Sequence, residues 1–331
     1  MQGQIYKIYS DSYYVKSGAQ LYVCKIREVL KKQKVSVVTG DFVEFENNVI
    51  TKILPRKTYI KRPAVANVDQ IVVVSALKEP ELDFLQLNRY ISLAKYYDIP
   101  VILGFNKEDL EFEADLTDRI ENIYKPLGYE IVFTSALKKI GIEYFAKLLK
   151  GKVSALCGNS GVGKSSLINA LNPNVNLKTK SVSDKLNRGT HTTRHCEIIE
   201  LDENTGIIDT PGFSNVKFDF ILPKDVDRLF DEIRQYKNQC KYSDCLHINE
   251  TGCEVLKHLE EIDATRYESY LAFITEAFEY KEKVKYSGVK RETHNKFHND
   301  KMIVKISEKK RMGARNTQKQ RIYKEYDEDD E

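Results

Sequence analysis

The sequence predicts an α/β protein of three modules. An all-β barrel comes first, a mostly parallel α/β sheet follows, and a helical module bearing cysteine and histidine closes the chain. Three observations carry this reading. Residues 1–62 hold short runs of β-branched and aromatic residues, and from residue 68 continuous apolar runs alternate with segments of helical period. After about residue 222 the pattern turns helical, and three of the six cysteines fall within 14 residues. A length of 331 residues exceeds one ordinary core and suits two or three domains. The expected boundaries are 1–63, 64–222 and 223–331.

Five strands are expected in the first module: Gln4–Tyr9, Ser12–Lys16, Gln20–Lys25, Asp41–Glu46 and Val49–Ile53. Turn residues punctuate them at Ser10-Asp11, Ser17-Gly18 and Asn47-Asn48. An OB-type barrel is the commonest module of this size, with an SH3-like barrel compatible with the same pattern. Arg62-Pro63 marks the expected boundary.

The run Gln70–Ser75 is apolar without alternation, as a strand buried on both faces should be. Residues 81–97 place Leu82, Leu85, Tyr90, Ile91 and Ala94 at helical spacing. Strands at Pro100–Phe105, Glu130–Thr134 and Lys152–Cys157, with helices between them, continue the alternation that builds a parallel sheet. Strands at 195–201 and 205–209 complete it. Helices are expected over 224–236 and 254–283.

Gly158-Asn159-Ser160-Gly161-Val162-Gly163-Lys164-Ser165 matches G-x-x-x-x-G-K-[ST] between a strand and an apolar helix, with Ser166 next in line. Glycines there let backbone N–H groups converge on phosphate oxygens at a helix N-terminus. Lys164 should reach the β- and γ-phosphates, and Ser165 should ligate Mg²⁺. Asp209-Thr-Pro-Gly212 ends another strand, where Asp209 can hold the Mg²⁺ shell and the Gly212 N–H can approach the γ-phosphate. Asn106-Lys107-Glu108-Asp109 also follows a strand. A carboxylate such as Asp109 accepts two N–H bonds from guanine that adenine cannot supply. Asn106 can tie base and phosphate loops together, and the stem of Lys107 can lie on the ring. Thr134-Ser135-Ala136, also after a strand, resembles the companion motif of GTP-binding proteins that touches the guanine O6. Together these motifs favour GTP over ATP. The base motifs precede the phosphate loop, so the elements are circularly permuted, which a closed α/β unit with adjacent termini tolerates.

Cys240-x₄-Cys245-x-His247-x₅-Cys253 supplies three thiols and one imidazole, a set suited to one structural Zn²⁺. Cys24, Cys157 and Cys196 sit in apolar strand patterns and read as buried, inert residues. The sparse cysteines, the lack of a long apolar run and the absence of a basic-then-apolar leader imply a cytoplasmic protein with no membrane partner. A monomer is expected. The net charge of +3 hides an asymmetry: residues 281–324 hold 15 Lys/Arg against 4 Asp/Glu, and six of the last seven residues are acidic. Such a basic segment is able to meet a polyanion, and it reads as a partly flexible RNA-contacting arm.

Barrel, permuted motifs and Cys₃His cluster together resemble the RsgA (YjeQ) family of small-ribosomal-subunit biogenesis GTPases. The resemblance implies a circularly permuted P-loop GTPase domain between an N-terminal OB-fold that binds RNA and a C-terminal zinc-binding domain. It also implies hydrolysis of GTP to GDP and phosphate, stimulated by the 30S subunit and its rRNA, late in subunit assembly. The stretch Arg188-Gly-Thr-His-Thr-Thr-Arg194 resembles the family's G-R-H-T-T segment, with Thr190 in place of the family arginine. Thr193, or alternatively Thr192, is the expected switch ligand of Mg²⁺ and γ-phosphate. Phe213 stands where Ras-like GTPases carry a water-orienting glutamine. His191 is the candidate to position water beside Lys164 and Thr193. A second reading, a GTP-gated rRNA-binding scaffold with incidental turnover, fits the missing glutamine.

Overall fold

A computed structural model describes residues 1–32, 36–173, 175, 177, 196–209, 217–286, 295–298 and 301–304. The first strands are β1 (Gln2–Tyr9), β2 (Ser12–Ser17) and β3 (Gln20–Ile26). A short helix, α1 (Glu28–Lys32), precedes β4 (Phe42–Glu46) and β5 (Val49–Ile53). The strands run β1-β2-β3-β5-β4, and β4 pairs back onto β1 to close the barrel. Strands β3 and β5 are parallel, with Lys25 opposite Val49. This ring order is that of an OB barrel, which decides between the two barrels that the pattern allowed. Asn47 and Asn48 both take left-handed φ (48° and 60°), the turn that lets β4 and β5 form a tight hairpin. Ile5, Val15, Cys24, Val43, Phe45 and Ile50 fill the interior at no more than 2% exposure.

After the barrel, β6 (Tyr59–Lys61) and β7 (Ala64–Ala66) form a hairpin with Arg62-Pro63 at its turn. Arg56 anchors this connector. Its guanidinium grips the fully buried Asp41 carboxylate in two bonds, Nε–Oδ1 2.7 Å and Nη2–Oδ2 2.9 Å.

The next elements are β8 (Gln70–Ala76), α2 (Phe84–Tyr96), β9 (Val101–Asn106), α3 (Leu116–Tyr124) and β10 (Glu130–Thr134). They are followed by α4 (Ile142–Leu149), β11 (Val153–Cys157), α5 (Lys164–Leu171), β12 (Glu197–Asp202) and β13 (Thr205–Asp209). The strand order is β10-β9-β8-β11-β13-β12, parallel except for the β12–β13 pair. Val72, Val74, Ile102, Leu156, Leu167, Ile168 and Ile207 pack into one apolar cluster under the helices. Strand β12 also pairs with β1, Lys7 opposite Glu197, so barrel and α/β domain share one eleven-stranded sheet. An ion pair, Lys7–Glu197 at 2.7 Å, and a Thr39 hydroxyl bond to the Cys196 carbonyl (2.9 Å) support that seam. Cys24 and Cys157 are buried as expected, whereas Cys196 is only half-buried.

Contacts divide the chain into two compact units: residues 1–216 with 263–269, and residues 217–262 with 270–331. Within the first, Asn88 of α2 is fully buried. Its Oδ1 accepts from the Tyr124 hydroxyl (2.8 Å) and Arg266 Nη1 (2.9 Å), and its Nδ2 donates to Ser269 Oγ (2.9 Å).

The second unit departs from the expected pair of helices. A 3-10 turn over Pro223–Leu229 gives way to α6 (Asp231–Lys237), because Phe230 is extended (φ −131°) and fully buried in the unit's aromatic core. There its ring lies 5.8 Å from that of Phe273 and 5.5 Å from that of Tyr270. The second expected helix is interrupted too. Helix α7 (Glu254–Lys257) stops, and α8 (Ala264–Tyr286) begins after Asp263, whose carboxylate accepts the Thr265 N–H at 2.9 Å. Within the basic segment, β14 (Asn295–His298) and β15 (Lys301–Val304) form a hairpin; its other residues past Tyr286 lie outside the described ones. Among the described residues, no helix is long and apolar enough to cross a membrane.

Candidate functional site

Five adjacent parallel strands deliver their C-terminal ends to one edge of the sheet, where α/β folds bind ligands. Register places Asn106 beside Thr134 and Ala76, and Asp209 beside Leu156. The loop after β11 therefore meets the loops after β9 and β10 and the end of β13.

Two glycines shape the phosphate loop. Gly158 has φ +141°, and a Cβ there would lie 2.0 Å from the Val74 carbonyl. Gly163 has φ +94°, and its Cβ would lie 2.2 Å from Asn106 Nδ2. No other residue fits either position. Lys164 opens α5, and its Nζ donates to the carbonyls of Gly158 (2.8 Å) and Asn159 (2.9 Å). Ser165 and Ser166 follow in the first turn. Burial lowers the Lys164 pKa, opposed by the nearby Asp209 carboxylate. Burial raises the Asp209 carboxyl, opposed by the Lys164 ammonium. Each charge thus favours the ionised form of the other.

Asn106 is 2% exposed and joins the loops as its position suggested. It donates from Nδ2 to the Val162 carbonyl (2.9 Å) and accepts at Oδ1 from the Ala136 N–H (3.1 Å) and the Thr134 hydroxyl (3.3 Å). Asp109 accepts a hydrogen bond from the Ser135 hydroxyl, whose oxygen in turn accepts the Lys138 N–H at 3.0 Å. That orients the carboxylate before any base is present. Lys107, in a left-handed conformation, donates from its ammonium to the Glu79 carbonyl. Sequence reasoning passed over Glu79 and Tyr90. Tyr90 lay within an apolar helical stripe and read as core, although its hydroxyl bonds Asn159. His191, Thr192, Thr193, Gly212 and Phe213 lie outside the described residues.

Asp109→Asn puts a donor where the guanine N–H edge needs an acceptor. An unpaired buried donor costs roughly 1–3 kcal/mol, so GTP affinity should fall about 5- to 150-fold. Competition titrations with GTP, ATP and xanthosine triphosphate check this, with preference expected to move to the xanthine nucleotide. An unchanged preference for GTP removes Asp109 from base recognition.

In the second unit, the ligand atoms of Cys240, Cys245, His247 and Cys253 all lie within 4.8 Å of one another. Cys240 Sγ is 3.9 Å from Cys253 Sγ, and His247 Nδ1 is 3.6 Å from Cys240 Sγ and 3.4 Å from Cys253 Sγ. A tetrahedron with metal–sulfur bonds of about 2.3 Å has edges of about 3.8 Å, so this donor set fits a four-coordinate ion. The Glu254 N–H donates to Cys240 Sγ at 3.3 Å. The Glu250 carboxylate accepts three N–H bonds, from Leu246 (2.7 Å), Ile248 (2.8 Å) and Asn249 (3.1 Å), which fixes the loop around His247. Burial pushes the Cys245 thiol up to about 12 and raises Cys253. A bound cation would favour their thiolate forms over the thiols that burial favours.

Comparison with known proteins bears on the first of these sites. The RsgA GTPase family model matches residues 53–219, and the RsgA N-terminal domain model matches residues 2–52. A relative from Alkaliphilus metalliredigens, named small ribosomal subunit biogenesis GTPase RsgA, is 38% identical over 284 residues, 83% of this chain and 97% of its own. The protein of that name from Clostridium acetobutylicum is 40% identical over 277 residues, 82% of this chain and 96% of its own. Among solved structures, YjeQ from Thermotoga maritima superposes with a TM-score of 0.72 at 33% identity, covering 84% of this chain and 98% of that one. YloQ, described as a circularly permuted GTPase, superposes with a TM-score of 0.69 at 31% identity, over 84% and 95%.

Proposed function

From the premise that the chain belongs to the RsgA GTPase family, we propose that it hydrolyses GTP on the 30S ribosomal subunit, late in that subunit's assembly. The relatives' printed name carries the subunit. The observation that carries the enzyme is the junction in which Asn106 bonds the phosphate loop with one end of its amide and the base loop with the other. Lys164 would draw charge from the β- and γ-phosphates, and Asp109 would select guanine. Mg²⁺ would be held by Ser165, Asp209 and Thr193, where it neutralises developing phosphate charge. Phe213 offers no hydrogen bond to an attacking water, so turnover without the subunit should be slow. His191 is the candidate to orient that water.

The metal of the cluster is Zn²⁺ in this reading, because three thiolates and one imidazole in a closed tetrahedral set are its preferred structural ligands. RNA would meet the outer barrel face, where Tyr14 stands opposite the exposed Val23, with the exposed Leu21 on the same strand as Val23. The basic arm past residue 280 would add phosphate contacts. The sparse cysteines and the family's ribosomal role support the cytoplasm as its site of action.

Single-turnover GTP hydrolysis with and without purified small subunits tests the proposal. Strong stimulation by 30S subunits, and none by free large subunits, is expected. Equal rates with and without subunits leave the scaffold reading, which the phenylalanine at position 213 favours.

A further inference from the structure

The phosphate loop is held from outside by side chains at two of its residues. Asn106 binds the Val162 carbonyl, and its role follows from base recognition. The other holder belongs to neither the phosphate nor the base motifs. Tyr90, on α2, is 2% exposed, and its hydroxyl donates to the Asn159 side-chain oxygen at 3.0 Å. Asn159 is the second residue of the loop, and its own carbonyl is one of the two that seat the Lys164 ammonium, at 2.9 Å. We propose that Tyr90 is a positioning residue for GTP: through Asn159 it fixes the phosphate loop and the Lys164 ammonium in their binding geometry before nucleotide arrives. The inference rests on the GTP-binding reading of this loop.

The need for such a holder lies in the loop itself. Gly158, Gly161 and Gly163 all have positive φ (141°, 84° and 94°), so the segment between β11 and α5 carries little stiffness of its own. Ordering a glycine-rich segment costs conformational entropy, and a loop ordered in advance does not incur that cost on binding. Tyr90 suits the task. Helix α2 that carries it is fixed by Asn88, whose bonds to Tyr124, Arg266 and Ser269 leave the helix little freedom to shift. Burial pushes the Tyr90 phenol up to about 12, so it remains a donor throughout the neutral range. The hydroxyl bonds the Asn159 side chain, so its effect on nucleotide binding would pass through that residue.

A pre-ordering contact acts equally on ground and transition states. It therefore changes KM and leaves kcat alone. Tyr90→Phe removes only the hydroxyl and keeps the ring in place. Loss of one neutral hydrogen bond should weaken GDP and GTP binding alike, by about 2- to 10-fold. GTPase KM should rise by the same factor with kcat within twofold of parental, and the melting temperature should hold. In titrations with fluorescent GDP, Asn159→Ala should weaken binding to a similar extent. Tyr90→Phe added to Asn159→Ala should then cost nothing further. Parental affinity in Tyr90→Phe, or additive losses in the double variant, overturns the proposal. A fall in kcat with unchanged KM overturns it as well. If the parental protein binds no guanine nucleotide, the failure lies in the GTP reading; if it binds and Tyr90→Phe binds equally, only the role of Tyr90 fails.

Discussion

Lys164→Ala is expected to reduce GTP turnover by roughly 10²- to 10³-fold or more, the scale set by losing one preorganised charge from a transition state. Two effects act in the same direction. The first is direct: among the described residues, Lys164 is the cation placed at the carbonyls of Gly158 and Asn159 to meet the phosphates. The second acts through Asp209. Burial already raises that carboxyl, and the Lys164 ammonium is the group that opposes the rise. Without it the Asp209 pKa climbs further, the carboxylate fraction falls at a given pH, and Mg²⁺ binding weakens. Residual activity in Lys164→Ala should therefore rise with pH across a window in which the parental profile has already levelled. The fold should survive, since the side chain is only half-buried and its two carbonyl partners can turn to water. Single-turnover rates from pH 5.5 to 8, with circular dichroism melting as the control, check both effects. Turnover at the parental rate would mean that this loop does not handle phosphate.

Much of this site was legible because its chemistry is written in contiguous residues. A strand, a glycine-rich turn and a helix are local, so Gly158–Ser165 announced both its conformation and its ligand. Asn106 was legible for a further reason: its position at a strand end left one geometry in which a short amide could reach both loops. Tyr90 was not legible, because an aromatic residue in an apolar helical stripe has the same signature whether or not its hydroxyl finds a partner. The seam between β1 and β12 was equally hidden. Lys7 and Glu197 lie far apart in sequence, and strand pairing at that range leaves no periodic mark on either strand. In the C-terminal unit, composition and helical period were read correctly, but the breaks were not. Phe230 ends one segment by turning its ring into the core, a tertiary demand that overrides the local preference for helix. Asp263 is a helix N-cap type of residue whose carboxylate accepts the Thr265 N–H, a signal that the expected single helix over 254–283 passed over.

Removing the metal should have the larger structural effect. Between Lys237 and Glu254, where the ligands lie, the chain forms no helix or strand, and its backbone is held by turns and by the Glu250 carboxylate. The buried set of this unit is aromatic and compact, centred on Phe218, Phe230, Tyr270 and Phe273. His247 is fully buried, so the cluster and this core share an interior. Structural Zn²⁺ contributes roughly 10–16 kcal/mol in small zinc modules, while a whole domain is stable by only about 5–15 kcal/mol. Loss of the ion therefore removes an energy comparable to the whole stability of such a unit. Cys245→Ser replaces a thiolate by a hydroxyl that does not ionise near neutral pH, and Cys245 is 8% exposed, so water cannot readily take its place. Either that variant or a strong chelator should unfold residues 217–262 and the later part of α8 ahead of the GTPase unit. Nucleotide affinity should change little, because the described nucleotide residues all lie between Tyr90 and Asp209. Protein purified without added zinc should carry about one Zn per chain by elemental analysis. A metal-free protein whose C-terminal unit melts at the same temperature before and after chelation would show that Cys240, Cys245, His247 and Cys253 are a packed thiol cluster and not a metal site.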